Sequence, residues 1–215
     1  MSRVRIKFCG ITRGDDARTA ASLGVDALGF VFTRRSPRFV EPATATAIRR
    51  ALPPFITTVA LFMDDEPGWV REVVATFKPH LLQFHGSESP AMCAEFAQPY
   101  LKAVAMASEP DVASYVARYP GACGFLLDGH ATGGQGGRGE RFDWSRIPAI
   151  GSALVLAGGL DAGNVGAAIG QARPYAVDVS SGIESAAGIK DATRMREFVD
   201  AVRAANQTAM MTTSP

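Results

Sequence analysis

Polar, reactive or small residues follow most of the apolar runs of this chain. They read Cys9-Gly10, the TRRSPR loop ending at Arg38, Met63-Asp64-Asp65, Gln83-Phe84-His85-Gly86, Asp128-Gly129-His130, Ala157-Gly158-Gly159, and Asp178 through Ser180 and Ser181 to Gly182. Thiol, carboxylate, imidazole and guanidinium groups are the types that move protons and grip anions. Two of the stretches, LAGGL and VDVSSGIE, put small residues where backbone N–H groups can approach a phosphate closely. Either alone reads equally well as a tight turn, because short glycine motifs are unspecific. Together they favour a phosphate site built from Gly158, Gly159, Ser180, Ser181 and Gly182. The glycine-rich GGQGGRGERFDW, with Gly136 and Gly137, is placed to fold over it.

Something must hold these groups at one rim. The runs VRIKFC, DALGFVF, ITTVALF, HLLQFH, LKAVAMA, CGFLLD, SALVLAGG and YAVDVSSG are short and nearly continuously apolar, as strands of a parallel sheet buried on both faces are. Amphipathic stretches lie between them, such as GDDARTAASLG and DEPGWVREVVATFKP, with acidic residues early and Gly or Pro late. Eight strands alternating with helices predict an α/β fold, a single-domain (β/α)8 TIM barrel over residues 1–205, with residues 206–215 a frayed tail. Active sites on that fold sit at the C-terminal strand ends, which is where the reactive residues fall.

Composition narrows the partners. With 215 residues, 47% hydrophobic and 20% charged, the chain can bury one large core. A net charge of +1 and the lack of a long basic run argue against nucleic acid, and no stretch is long enough to span a membrane. A small-molecule substrate is the expectation. Cys9, Cys93 and Cys123 are too widely spaced for a disulfide framework or a zinc site, so a reducing cytoplasm and no bound metal are expected. Cys93 and Cys123 fall inside helical or strand patterns and read as structural. Cys9 alone stands at a strand's active end.

The pieces KFCGIT, QFHGSE, FLLD, GGRGERFDW, LAGGL, VDVSSGIE and GIKD occur in this order from residue 7 to residue 191. In that order they resemble the phosphoribosylanthranilate isomerase family of tryptophan biosynthesis. The resemblance implies a TIM barrel and a metal-free, cofactor-free Amadori rearrangement by a monomer or homodimer, an aldose–ketose isomerisation. It makes Cys9 the general base and Asp128 a general acid kept protonated in a water-poor pocket. It gives Arg38 the substrate carboxylate. Gln83 and His85 stand at the substrate, His85 either touching it or packing behind beside Gln83. Asp178 either accepts a hydrogen bond from the anthranilate nitrogen or holds the site in order. Arg138 stands where the family commonly has serine or threonine, so it either reaches the phosphate or points to solvent. The related histidine-pathway isomerase has aspartate at the Cys9 position. A redox sensor, the other alternative, needs a resolving thiol at the rim, where neither Cys93 nor Cys123 is predicted.

Overall fold

The computed structural model describes residues 3–130 and 142–211. Eight parallel strands close into a barrel: β1 (Arg5–Cys9), β2 (Ala27–Val31), β3 (Thr57–Phe62), β4 (Leu81–Phe84), β5 (Tyr100–Ala105), β6 (Gly124–Asp128), β7 (Ala153–Leu156) and β8 (Ala176–Val179). Closure comes from β1 pairing with β8, which sets Lys7 opposite Asp178. Around the barrel lie α1 (Gly14–Ser22), α2 (Pro42–Arg50), α3 (Pro67–Phe77), α4 (Pro90–Ala94), α5 (Val112–Ala117), α6 (Val165–Ala172) and α7 (Ala192–Met211). Prolines open α2, α3 and α4, where a missing N–H costs nothing and the fixed φ suits the first turn.

Alternation along each strand sorts the side chains into two layers. Phe8, Phe30, Phe62 and Phe84 face the helices and join the outer core, in which Phe77 of α3 packs 5.0 Å from Phe30 and 5.1 Å from Phe32. Leu101, Ala103, Leu126, Val155 and Ala176 fill the barrel interior. The inward positions nearer the C-terminal rim of β1, β4, β6 and β8 are instead polar: Lys7, Gln83, Asp128 and Asp178 are all buried.

Two features depart from the sequence expectations. The segment after β8 turns through a short 3-10 helix (Ser181–Ile183) into an antiparallel hairpin of β9 (Glu184–Ala186) and β10 (Ile189–Lys190), which returns Lys190 to the rim. α7 runs on through residue 206, where the sequence suggests a frayed tail, to Met211. Asn206 secures its last turns, its Oδ1 accepting from Val4 N at 2.8 Å. No helix among the described residues is long and apolar enough to cross a membrane.

Candidate active site

At the mouth of β1, alternation turns Lys7 and Cys9 into the barrel. The Lys7 ammonium lies 2.9 Å from Asp178 Oδ2, both side chains being buried. Burial pushes the Cys9 thiol above its ordinary pKa; the ammonium groups of Lys7 and Lys190 pull it back down, Asp178 opposes them, and the net shift is upward. Lys190 also donates to the Cys9 carbonyl at 2.5 Å and to Glu184 at 2.7 Å, which fixes the end of β1. Room for the thiol comes from the neighbouring strand. A Cβ at Gly29 would sit 2.8 Å from Cys9 Sγ and 3.1 Å from Lys7 Nζ.

Asp128 ends β6, three strands around the barrel from β1. His85 Nε2 is 3.4 Å from its Oδ2, and His130 Nδ1 is 3.5 Å from its Oδ1. The two imidazoles stack with centroids 4.6 Å apart. Burial raises the Asp128 carboxyl, but the close approach of the His130 and His85 ring nitrogens outweighs it and holds the group well below the usual carboxylate range. That pull in the unliganded site runs against the protonated form expected of a general acid. His85 lines the cleft and packs beside Gln83, whose Nε2 is 3.2 Å from His85 Nδ1.

Arg38 reaches the same cleft from the loop after β2. Its Nε and Nη2 donate to Glu184 at 2.9 and 2.7 Å, so one edge of the guanidinium is committed to a buried carboxylate. A Cβ at Gly10 (φ +76°) would come within 2.5 Å of Arg38 Cδ, so the turn after Cys9 needs glycine for conformation and for space. Opposite, Gly158 (φ +84°) and Gly159 (φ +63°) form the turn after β7, held by Asn164 donating to the Gly159 carbonyl at 2.8 Å.

One cleft is lined by Cys9, Arg38, Gln83, His85, Asp128, Gly158, Gly159, Asp178, Ser180 and Ser181. Gly182 does not line it; a Cβ there would stand 2.0 Å from the Leu160 carbonyl oxygen, so this glycine lets two loops touch. Gly136, Gly137 and Arg138 lie outside the described residues. Sequence reading assigned no role to Lys7, His130, Glu184 or Lys190. Lys7 is two residues before Cys9, a spacing that puts both on one strand face. Glu184 and Lys190 stand in the quoted VDVSSGIE and GIKD motifs, but their pairing arises only from the hairpin. Cys93 is buried in α4, and Cys123 is exposed just before β6, at the end of the strand away from the rim.

Comparison with known proteins agrees with this arrangement. Residues 6–201 match the family model for N-(5'-phosphoribosyl)anthranilate (PRA) isomerase. The N-(5'-phosphoribosyl)anthranilate isomerase of Stenotrophomonas maltophilia (strain R551-3) is 52% identical over 211 residues, covering 97% of each chain. Among solved structures, phosphoribosyl anthranilate isomerase from Thermus thermophilus superposes with a TM-score of 0.86 at 35% identity, over 94% of this chain and 99% of that one. Another, a phosphoribosyl anthranilate isomerase in complex with reduced 1-(o-carboxyphenylamino)-1-deoxyribulose 5-phosphate, gives a TM-score of 0.80 at 36% identity, over 94% of this chain and 99% of that one.

Proposed function

The chain belongs to the N-(5'-phosphoribosyl)anthranilate isomerase family, and from that premise we propose how its own residues carry the reaction. It is an isomerase of tryptophan biosynthesis, converting N-(5-phospho-β-D-ribosyl)anthranilate to 1-(2-carboxyphenylamino)-1-deoxyribulose 5-phosphate. The observation that carries the assignment of roles is that Cys9 and Asp128 border one cleft from strands three apart, with Asp178 between their strands on β8.

Asp128 delivers a proton to the ribose ring oxygen as the C1–O bond breaks and the nitrogen lone pair forms an iminium. Cys9, as thiolate, removes the proton from C2. The C–H electrons form the C1=C2 bond of an enolamine and the iminium electrons return to nitrogen. Protonation at C1 and loss of the O2 proton give the ketone, so no proton is gained or lost overall. Lys7 favours the thiolate by charge. Lys7 also holds Asp178 Oδ2, while Oδ1 is buried without a hydrogen-bond partner and accepts from the anthranilate N–H.

Arg38, braced by Glu184, faces the substrate carboxylate with its charge, and Gln83 and His85 border the sugar. The turns at Gly158–Gly159 and Ser180–Ser181 receive the phosphate; Gly136 and Gly137, the other expected phosphate contacts, lie outside the described residues. The test of this function is turnover. Freshly made phosphoribosylanthranilate mixed with the purified chain should lose its anthranilate-type fluorescence at a rate proportional to enzyme concentration; an unchanged signal would overturn the assignment.

A further inference from the structure

His85, Asp128 and His130 have a property that proton transfer does not require. Their three ligand atoms all lie within 4.8 Å of one another, and all three residues are buried. His85 Nε2 and His130 Nδ1 have no hydrogen-bond partner that meets normal geometry, although each residue is more than nine-tenths buried. Buried imidazole nitrogens usually find a partner, so two unsatisfied nitrogens facing one carboxylate call for an explanation.

We propose that His85, Asp128 and His130 form a three-ligand site for a divalent transition metal, zinc foremost, whose occupation blocks catalysis instead of serving it. The three ligand atoms are close enough to converge on one ion after a small shift. In a tetrahedral zinc site with bonds of about 2.0–2.1 Å, ligand atoms stand roughly 3.3–3.4 Å apart; here His85 Nε2 is 3.4 Å from Asp128 Oδ2 and His130 Nδ1 is 3.5 Å from the other oxygen, Oδ1, with one ligand atom from each residue within 4.8 Å of the others. Two imidazoles and one carboxylate suit zinc, copper or nickel, and they disfavour magnesium and calcium, which select oxygen ligands. Gln83 orients the first ligand. Its Oε1 is buried without a partner, and its amide adjoins His85 Nδ1. Turning the amide by half a turn makes Oε1 an acceptor for Nδ1–H, which leaves the lone pair on Nε2 to face the metal.

Access exists from two sides. The main cleft reaches His85 and Asp128, and a second cavity, bounded by Tyr115, Arg118 and Glu109, reaches His85 and His130. A metal held here takes the Asp128 carboxylate out of proton transfer. The loss of activity therefore rests on the acid role given to Asp128 above; the binding of the metal does not.

The test is calorimetric titration of the full-length chain, first stripped by a chelator, with zinc chloride and in parallel with magnesium chloride. One zinc should bind per chain at micromolar or lower free zinc, reversibly with EDTA, while magnesium should give no binding heat. His130→Phe, which keeps a ring stacked on His85, and His130→Gln should each weaken zinc binding by about tenfold or more, with the melting curve confirming a folded protein. Cys9→Ser should bind zinc as the wild type does. In turnover assays zinc should inhibit over the range in which it binds. Absence of binding at millimolar zinc would overturn the proposal and leave the acid role of Asp128 untouched. Loss of binding in Cys9→Ser with retention in both His130 variants would move the metal to the thiol and also overturn it. Stoichiometric binding with undiminished turnover would overturn the inhibitory half together with the acid role.

Discussion

On the proposed mechanism Cys9 is the base, at a position where burial disfavours its charged form and Lys7 is the compensating charge two residues away. The sign of the pH effect follows. A thiol raised above its ordinary value in the free enzyme has a thiolate fraction that grows as pH rises, so kcat/KM should climb through the alkaline range until the thiol is ionised. Lys7→Met removes a group that favours the thiolate and should displace that limb to still higher pH. Activity at neutral pH should fall about tenfold for each unit of displacement. Profiles of kcat/KM against pH for both proteins check this, and an unmoved limb in Lys7→Met would mean that the limb belongs to another group. The thiol itself was legible in the sequence because an apolar run stops on it. Lys7 was not, because a cation inside a barrel is intelligible only with Asp178 opposite, and that register is set by closure of β1 on β8. The downward pull on the Asp128 carboxyl was hidden for the same kind of reason, since His85 comes from β4's end and His130 from β6's.

Elements position these groups through contacts that leave little slack. Gly29 of β2 lies beside Cys9, so Gly29→Ala should leave the circular dichroism spectrum unchanged while pushing the thiol aside. Displacement of a reacting group by about 1 Å can cost on the order of a hundredfold in rate, and kcat should fall by a tenfold to hundredfold factor within that limit. A wild-type kcat would show that the thiol has room to spare. At the other side of the cleft, Glu184 holds both Arg38 and Lys190. Burial raises its carboxyl, but the two cations outweigh this and lower it below the usual value. Its stabilising contribution is therefore full above the unfolded-state pKa and is lost as pH falls through the folded-state value. Glu184→Gln should cost roughly 3 kcal/mol at pH 7, as breaking a buried pair does, and the gap to wild type should narrow as pH drops below about 4. Urea unfolding at both pH values measures it. All eight strands were legible from apolar runs bounded by turn residues, whereas the β9–β10 hairpin was not: Glu184–Ala186 and Ile189–Lys190 are too short to show a period of two.

At the scale of the whole molecule, α7 packs against the start of the barrel and joins the chain's two ends. Met195, Phe198, Val199 and Val202 enter the outer core, and Asn206 pairs with the Val4 backbone. The polar NQTAMMTTSP composition suggested a tail because no apolar stripe continues through it; a side-chain bond to Val4, just before β1, holds the helix there. Asn206→Ala should lower stability by about 1 kcal/mol and the melting temperature by roughly 2–4 °C, with kcat unchanged. A melting curve unaltered by the substitution would return those residues to the status of a dispensable end. The central claim is that this barrel isomerises phosphoribosylanthranilate with an acid on β6 and a base on β1. It is tested most directly by measuring kcat for the wild type, Cys9→Ser and Asp128→Asn side by side under saturating substrate, each variant shown to be folded. Wild-type turnover with a loss of about 10²–10⁴-fold in each variant is the expected result; a variant that keeps most of the wild-type kcat would contradict the assignment.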